Sequence, residues 1–101
     1  MKVVFGISEA SKWELVSANV TNILIEDPTI EVVVVAYSEA VIVFAEDDVE
    51  LHPDATYYVC NNAIISREVD RDKLHKRANV TNSGVYKILL LQEEGFKYIR
   101  S

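Results

Sequence analysis

The 101-residue chain predicts an α/β fold, a three-layer α/β/α sandwich around a mainly parallel sheet of about five strands. Three observations lead there. "IEVVVVAY", residues 30–37, is a nearly unbroken apolar, β-branched run where a half-exposed strand would alternate, so both of its faces have to be covered. Trp13, Val16, Val20, Ile23 and Leu24 recur at three- and four-residue steps, the pattern of a helix with one buried stripe. Strand-like and helix-like segments then alternate along the chain, which is the order of βαβ units with right-handed crossovers.

Each element has its own signal. "KVVFGI", residues 2–7, is short, apolar and β-branched, as a buried strand should be. Ser11 and Glu14 stand at the capping-box spacing and open the first helix, which Asp27 before Pro28 ends. After the 30–37 strand, Ser38 and "EAVIVFAED" read as a short capped helix despite their β-branched content. Residues 47–55, with four carboxylates and Pro53, are a loop, and "TYYVC" returns to strand. Asn61 and Asn62 suit a cap or turn; "AIISR" and "DRDKLHKR" are two short helical pieces, the second capped by Asp70. "ANVTN", 78–82, is a brief strand, although the same five residues at 18–22 lie inside the first helix, where context overrides local propensity. Ser83 and Gly84 open a last helix carrying Val85, Ile88, Leu89 and Leu91; Gly95 ends it, and "FKYIR", 96–100, alternates as a half-buried edge strand does.

Composition narrows the class of protein. Half of the residues are hydrophobic, and only three are Gly and two Pro, which suits one compact domain over residues 1–101. The N-terminal residues lack the apolar core of a signal peptide, and no window approaches the roughly 20 apolar residues of a membrane span, so a cytoplasmic protein with no membrane partner is expected. One cysteine allows no internal disulfide, in keeping with a reducing compartment. Residues 1–60 carry 11 acidic and 2 basic side chains, residues 61–101 carry 5 and 8, and the net charge of −6 argues against direct nucleic-acid binding.

Cys60 is the residue of most chemical interest. A thiol at the end of a strand, just ahead of a helix start, lies near unpaired backbone N–H groups and the positive end of a helix dipole, which favour the thiolate a sulfur nucleophile needs. In parallel α/β sheets, sites form at the carboxyl ends of strands, where Cys60 falls. The competing reading is that cysteine in an apolar strand is a small hydrophobe of the core. Asn61, Asn62 and Arg67 are the sequence-local groups able to stabilise a thiolate, and Arg67, Arg71, Lys73, Lys76 and Arg77 form either a local positive field or a solvated face. His52 and His75 have no recognisable spacing to Cys60 for a catalytic dyad, and one Cys with two distant His gives no metal-ligand pairing. The single Gly6 of "FGISEASKW" cannot make a phosphate-binding glycine loop, so no nucleotide or other cofactor is expected. Thr81, Ser83 and Gly84 are a possible anion site at a helix start, which plain capping also explains.

Strand one with "WEL" in the first helix, "CNNAI" at the end of the third strand, "SGV" opening the last helix and "QEEGFKYIR" at the end together resemble the small members of the DsrE/DsrF-like family, related to the YchN and TusD sulfur-relay proteins. The resemblance spans nearly the whole chain and implies a three-layer α/β fold, homo-oligomers, and, in some members, a cysteine that carries sulfur as a persulfide between donor and acceptor proteins. By position that role falls on Cys60. Relatives commonly place a glycine after the arginine that follows the cysteine helix, where this chain has Glu68. Self-association is also expected from "EVVVVAYSEAVIVF", whose apolar groups around Val41 to Phe44 suit a surface covered by another subunit.

Overall fold

A computed structural model describes residues 1–100. β1 (Lys2–Ile7) leads through a 3₁₀ turn (Ala10–Lys12) into α1 (Trp13–Glu26), then β2 (Glu31–Ala36), a 3₁₀ segment (Ser38–Ala45) and β3 (Ala55–Cys60). α2 (Asn61–Ser66), a 3₁₀ turn (Arg71–Lys73), β4 (Ala78–Thr81), α3 (Gly84–Glu93) and β5 (Lys97–Arg100) complete the chain. The strands form one sheet in the order β4-β3-β2-β1-β5, and every neighbouring pair is parallel. Helical layers flank this sheet on both sides, so the fold is a three-layer α/β/α sandwich.

The strand order dictates how thick each outer layer is. From β1 through β4 the chain steps always in one direction across the sheet, so crossovers of a single hand place α1, the long 3₁₀ segment and α2 on one face. Only the return from β4 to β5 runs the other way, which puts α3 alone on the opposite face. Alternate residues of β2 divide accordingly: Val32, Val34 and Ala36 pack with Val16, Val20 and Phe44, whereas Val33 and Val35 pack with Ile88, Leu91 and Phe96. Val34 and Val35 are both 0% exposed, as the unbroken apolar run requires.

Several local expectations are corrected. Ser11 and Glu14 form no capping box, because the 3₁₀ turn ahead of α1 makes Lys12 the cap position, and the free Ala10 N–H is donated to Glu39 Oε1 at 2.8 Å. Residues 38–45 are 3₁₀ rather than α. With three residues per turn, the buried residues fall in eclipsed pairs, Ala40 over Val43 and Val41 over Phe44, and a β-branched run is spared the crowding of α-helical turns. Ser38 is not their cap: it stands at φ 53°, in the left-handed region, and Tyr37 precedes it as the cap residue. Val41, Val43 and Phe44 are at most 3% exposed and so are core, not surface for another subunit; Ile42, at 38%, is the exposed apolar residue of this stretch. β5 is exposed at all four positions; the buried member of "FKYIR" is Phe96, which lies just before the strand.

Two helix ends share one hydrogen-bond pattern. After α3, Gly95 N–H is donated to Gln92 O and Phe96 N–H to Leu91 O, the Schellman arrangement, with Gly95 at φ 98°. After α2, Glu68 N–H is donated to Ile65 O and Val69 N–H to Ile64 O, so Glu68 occupies the glycine place at φ 54°.

Candidate functional site

Cys60 is the last residue of β3 and the cap residue of α2, with φ −76° and ψ 119°. Its side chain is 6% exposed and belongs to the core on the thick face. The connection leaving β4 folds over it. Asn82 O lies 4.0 Å from Sγ, within reach of a thiol donor, and also accepts the Asn62 N–H at 3.3 Å. One carbonyl therefore ties the start of α2 to the entry of α3. Gly84 closes the same space: a Cβ there would stand 2.8 Å from Tyr37 Cβ and 3.2 Å from Cys60 Cβ, so only glycine lets α3 begin this close to β2 and β3.

The other residues expected around the thiol are distributed as follows. Thr81 is the register neighbour of Cys60 on β4. Ser83 caps α3, its Oγ accepting the Tyr86 N–H at 3.3 Å, which is the capping role. The Asn61 side chain accepts a hydrogen bond from Arg71, while an Arg67 guanidinium N–H is donated to Ser38 Oγ at 3.3 Å. The sulfur's own partner is thus a main-chain oxygen, not Asn61, Asn62 or Arg67. Asn82 and Tyr37 carry no side-chain signature of this role, since one contributes only its carbonyl and the other only a packed Cβ.

The basic run does not form one positive field beside Cys60. Asp70 caps the single 3₁₀ turn that follows it, accepting the Asp72 N–H at 3.0 Å, and the arginines then diverge. Arg77 reaches the 47–55 loop, donating to His52 O at 3.2 Å and Ala55 O at 2.8 Å, with its guanidinium 6.0 Å from the Tyr57 ring centre. Both histidines use Nδ1 as a local acceptor, His52 from the Asp54 N–H and His75 from the Arg77 N–H, each at 3.0 Å, and neither meets Cys60.

A second region was not legible in the sequence. Between α1 and residues 46–53 runs a cleft of about 590 Å³, with Trp13, Ser17 and Thr21 along one wall and Tyr57 at its base. Trp13 packs edge-on against Phe44 with ring centres 5.1 Å apart, and Phe44 and Tyr57 are 6.0 Å apart. The Tyr57 hydroxyl accepts the His52 N–H at 2.9 Å, and burial raises its pKa above the ordinary value of 10.0 despite that bond. Cys60 does not line this cleft. A smaller cavity of about 330 Å³ lies at the carboxyl ends of β1 and β5, with Ser8, Lys12, Tyr98 and Arg100 in its wall.

No helix among the described residues is long and apolar enough to cross a membrane. No family model and no curated protein matches the chain. Among solved structures it is similar to MTH1491 from Methanobacterium thermoautotrophicum, a protein of unknown function, with 31% identity, a TM-score of 0.87, and coverage of 99% of this chain and 98% of that one. Identity at that level over nearly the full length of both chains places this protein in the same family as MTH1491.

Proposed function

We propose that the protein is a cytoplasmic sulfur carrier of the DsrE/DsrF-like kind, with Cys60 as the accepting thiol. The observation that carries this reading is the position of the chain's sole cysteine, at the carboxyl end of an inner strand of a parallel sheet and at the start of a helix. In the proposed cycle Cys60 Sγ, as thiolate, attacks the outer sulfur of a donor persulfide R–S–SH. The donor S–S bond breaks, R–S⁻ leaves with the bonding pair, and Cys60 becomes the persulfide. An acceptor thiolate then attacks that outer sulfur, takes it as its own persulfide and returns Cys60 to thiolate. Neither transfer needs an outside oxidant or reductant. With the thiol 6% exposed, small donors and slender acceptor thiols are favoured over bulky ones.

The second reading, a non-catalytic module with Cys60 as core, draws on the same burial and on the Gly84 contact. Incubation with a polysulfide, read by intact mass, separates the two. The sulfur-carrier reading expects a gain of one sulfur that is absent in Cys60→Ser and lost on addition of a small thiol; unchanged mass in a folded wild type supports the core reading.

We also propose that the chain forms homo-oligomers through α3. Val85, Tyr86 and Leu89 are 52–63% exposed and, with Leu90, make an apolar stripe on the outer side of the thinner layer. Sedimentation at micromolar concentration should show a species larger than the monomer that Leu89→Lys dissociates. A monomeric wild type would remove this part of the proposal.

A further inference from the structure

The smaller cavity, of about 330 Å³, lies where the strand order of the sheet reverses. From β1 the chain adds β2, β3 and β4 on one side, and β5 then joins β1 on the other. In open parallel sheets, ligands settle outside the carboxyl ends of the strands at such a reversal, and residues at the ends of β1 and β5 bound this cavity. Its volume stands at the small end of the range for small-molecule sites. Cys60 does not line it.

The wall is rich in donors. Lys12, from the turn ahead of α1, and Arg100, from the far end of the chain, both line the cavity. Lys12 is one of two basic residues among the first 60, on a chain of net charge −6, so its meeting with Arg100 makes a local reversal of sign. Arg67, Arg71 and Arg77 are engaged by Ser38, Asn61 and main-chain carbonyls, whereas neither Lys12 nor Arg100 has a polar partner among the described residues. Ser8, Tyr37 and Tyr98 add hydroxyl-bearing side chains to the wall. Gly6 makes room for one of them. A Cβ there would stand 3.2 Å from Tyr98 Oη, so the glycine lets the phenol lie along β1 with its hydroxyl at the cavity. Two cations and several hydroxyls match an acceptor-only group with two charges and three oxygens, which is a phosphate monoester; a carboxylate has one charge and two oxygens. Side chains do the recognising here, so no glycine-rich loop is needed.

We propose that this cavity binds the phosphate group of a small organic phosphate monoester, with Lys12 and Arg100 on its oxygens and Tyr98 as a hydroxyl donor. Glu9, the one carboxylate in the wall, opposes the ligand's charge and gives the test a sign. Titration of the full chain with glycerol phosphate at low ionic strength, followed by amide NMR, should shift the resonances of residues 6–12 and 98–100 saturably at millimolar concentration. Lys12 and Arg100 are exposed, so the double variant Lys12→Gln/Arg100→Gln should fold normally and bind roughly tenfold more weakly, the combined effect of two surface charges. Glu9→Gln should bind more tightly than wild type, and Tyr98→Phe more weakly. The inference is overturned by the absence of saturable shifts at millimolar ester, by shifts centred on Arg67 and Arg71 instead, or by equal binding of uncharged glycerol. Affinity unchanged in the double variant, or weakened in Glu9→Gln, overturns it as well. Cys60→Ser should bind the ester as wild type does, so failure of the sulfur-carrier reading and failure of this one are separate results.

Discussion

The two faces of the sheet are built from the same strands but covered very differently. On one face α1, the 3₁₀ segment and α2 share a core of twenty buried residues, from Val3 to Ile64 along the chain. On the other, the core is six residues, three from the sheet and three from α3 and the turn after it, and the outer side of α3 is left apolar. The cause is topological. Three successive steps in one direction send their connections to one side, and a single return step sends one helix to the other. The cleft depends on the thick face, between α1 and residues 46–53, whereas Cys60 ends β3 where both layers meet, in the thick-face core yet against Asn82 and Gly84 at the entry of α3. The thin face is where the large apolar side chains of α3, Val85, Tyr86, Leu89 and Leu90, stand exposed.

Breaking the shared layer should have the largest effect. Val34 is 0% exposed in β2, between Phe5 of β1 and Tyr57 of β3 in register, so Val34→Asp buries a charge with no partner and should prevent folding. Circular dichroism showing a wild-type melting curve for that variant would refute the central place given to β2.

Next in size is a paired test of the two cores. Phe44→Ala removes a fully buried ring that touches both Trp13 and Tyr57, and should cost about 3–5 kcal/mol, a large part of a small domain's stability. Ile88→Ala, 8% exposed beneath the thin layer, should fall near the lower end of the range for such truncations, about 2 kcal/mol, because fewer neighbours surround it and α3 can settle inward. Urea unfolding of both variants checks the order; equal losses would mean that the faces are energetically alike despite their different cover.

The helix ends sharpen the same contrast at smaller scale. α2 on the thick face ends with Glu68 at φ 54°, and α3 on the thin face ends with Gly95 at φ 98°, in the same hydrogen-bond pattern. An L side chain in that region is strained and glycine is not, so Glu68→Gly should stabilise by about 0.5–1 kcal/mol, after the added freedom of the unfolded chain is deducted. Gly95→Ala should destabilise by about 1 kcal/mol, and purely through the backbone, since nothing lies within 4 Å of the added Cβ. Thermal melts of the two variants should move in opposite directions.

The smallest effect is the alkaline titration of Tyr57. Burial raises its pKa above 10.0, so the folded chain holds the phenolic proton more tightly than the unfolded chain does. Its contribution is complete below the ordinary value and is lost as pH rises through the raised one, because the unfolded chain releases its proton first. Tyr57→Phe should therefore lose stability less steeply than wild type above pH 10, whatever constant offset comes from losing the His52 N–H acceptor. Parallel slopes in urea unfolding across that range would count against a buried phenol.

Strand and helix periodicity determined most of the architecture. The Val32–Val35 run required cover on both faces, the Val16, Val20 and Leu24 stripe required a helix to supply it, and Ser83 and Gly95 marked the ends of α3 through capping chemistry that acts within a few residues. The glycine place after α2 was marked only by the family resemblance, at Glu68, since nothing in the residue itself signals the left-handed backbone it adopts. Tertiary structure alone decided what depends on distant partners. Glu39 accepts the first N–H of the 3₁₀ turn ahead of α1 where a local capping box was expected, the 38–45 segment becomes core as Phe44 packs on Trp13 and Tyr57, and the thiol of Cys60 finds a carbonyl 22 residues away. The cleft at Trp13, Ser17 and Tyr57 belongs to the same class: its walls come from segments more than 20 residues apart, and no short-range pattern encodes a space that exists only once those segments have packed.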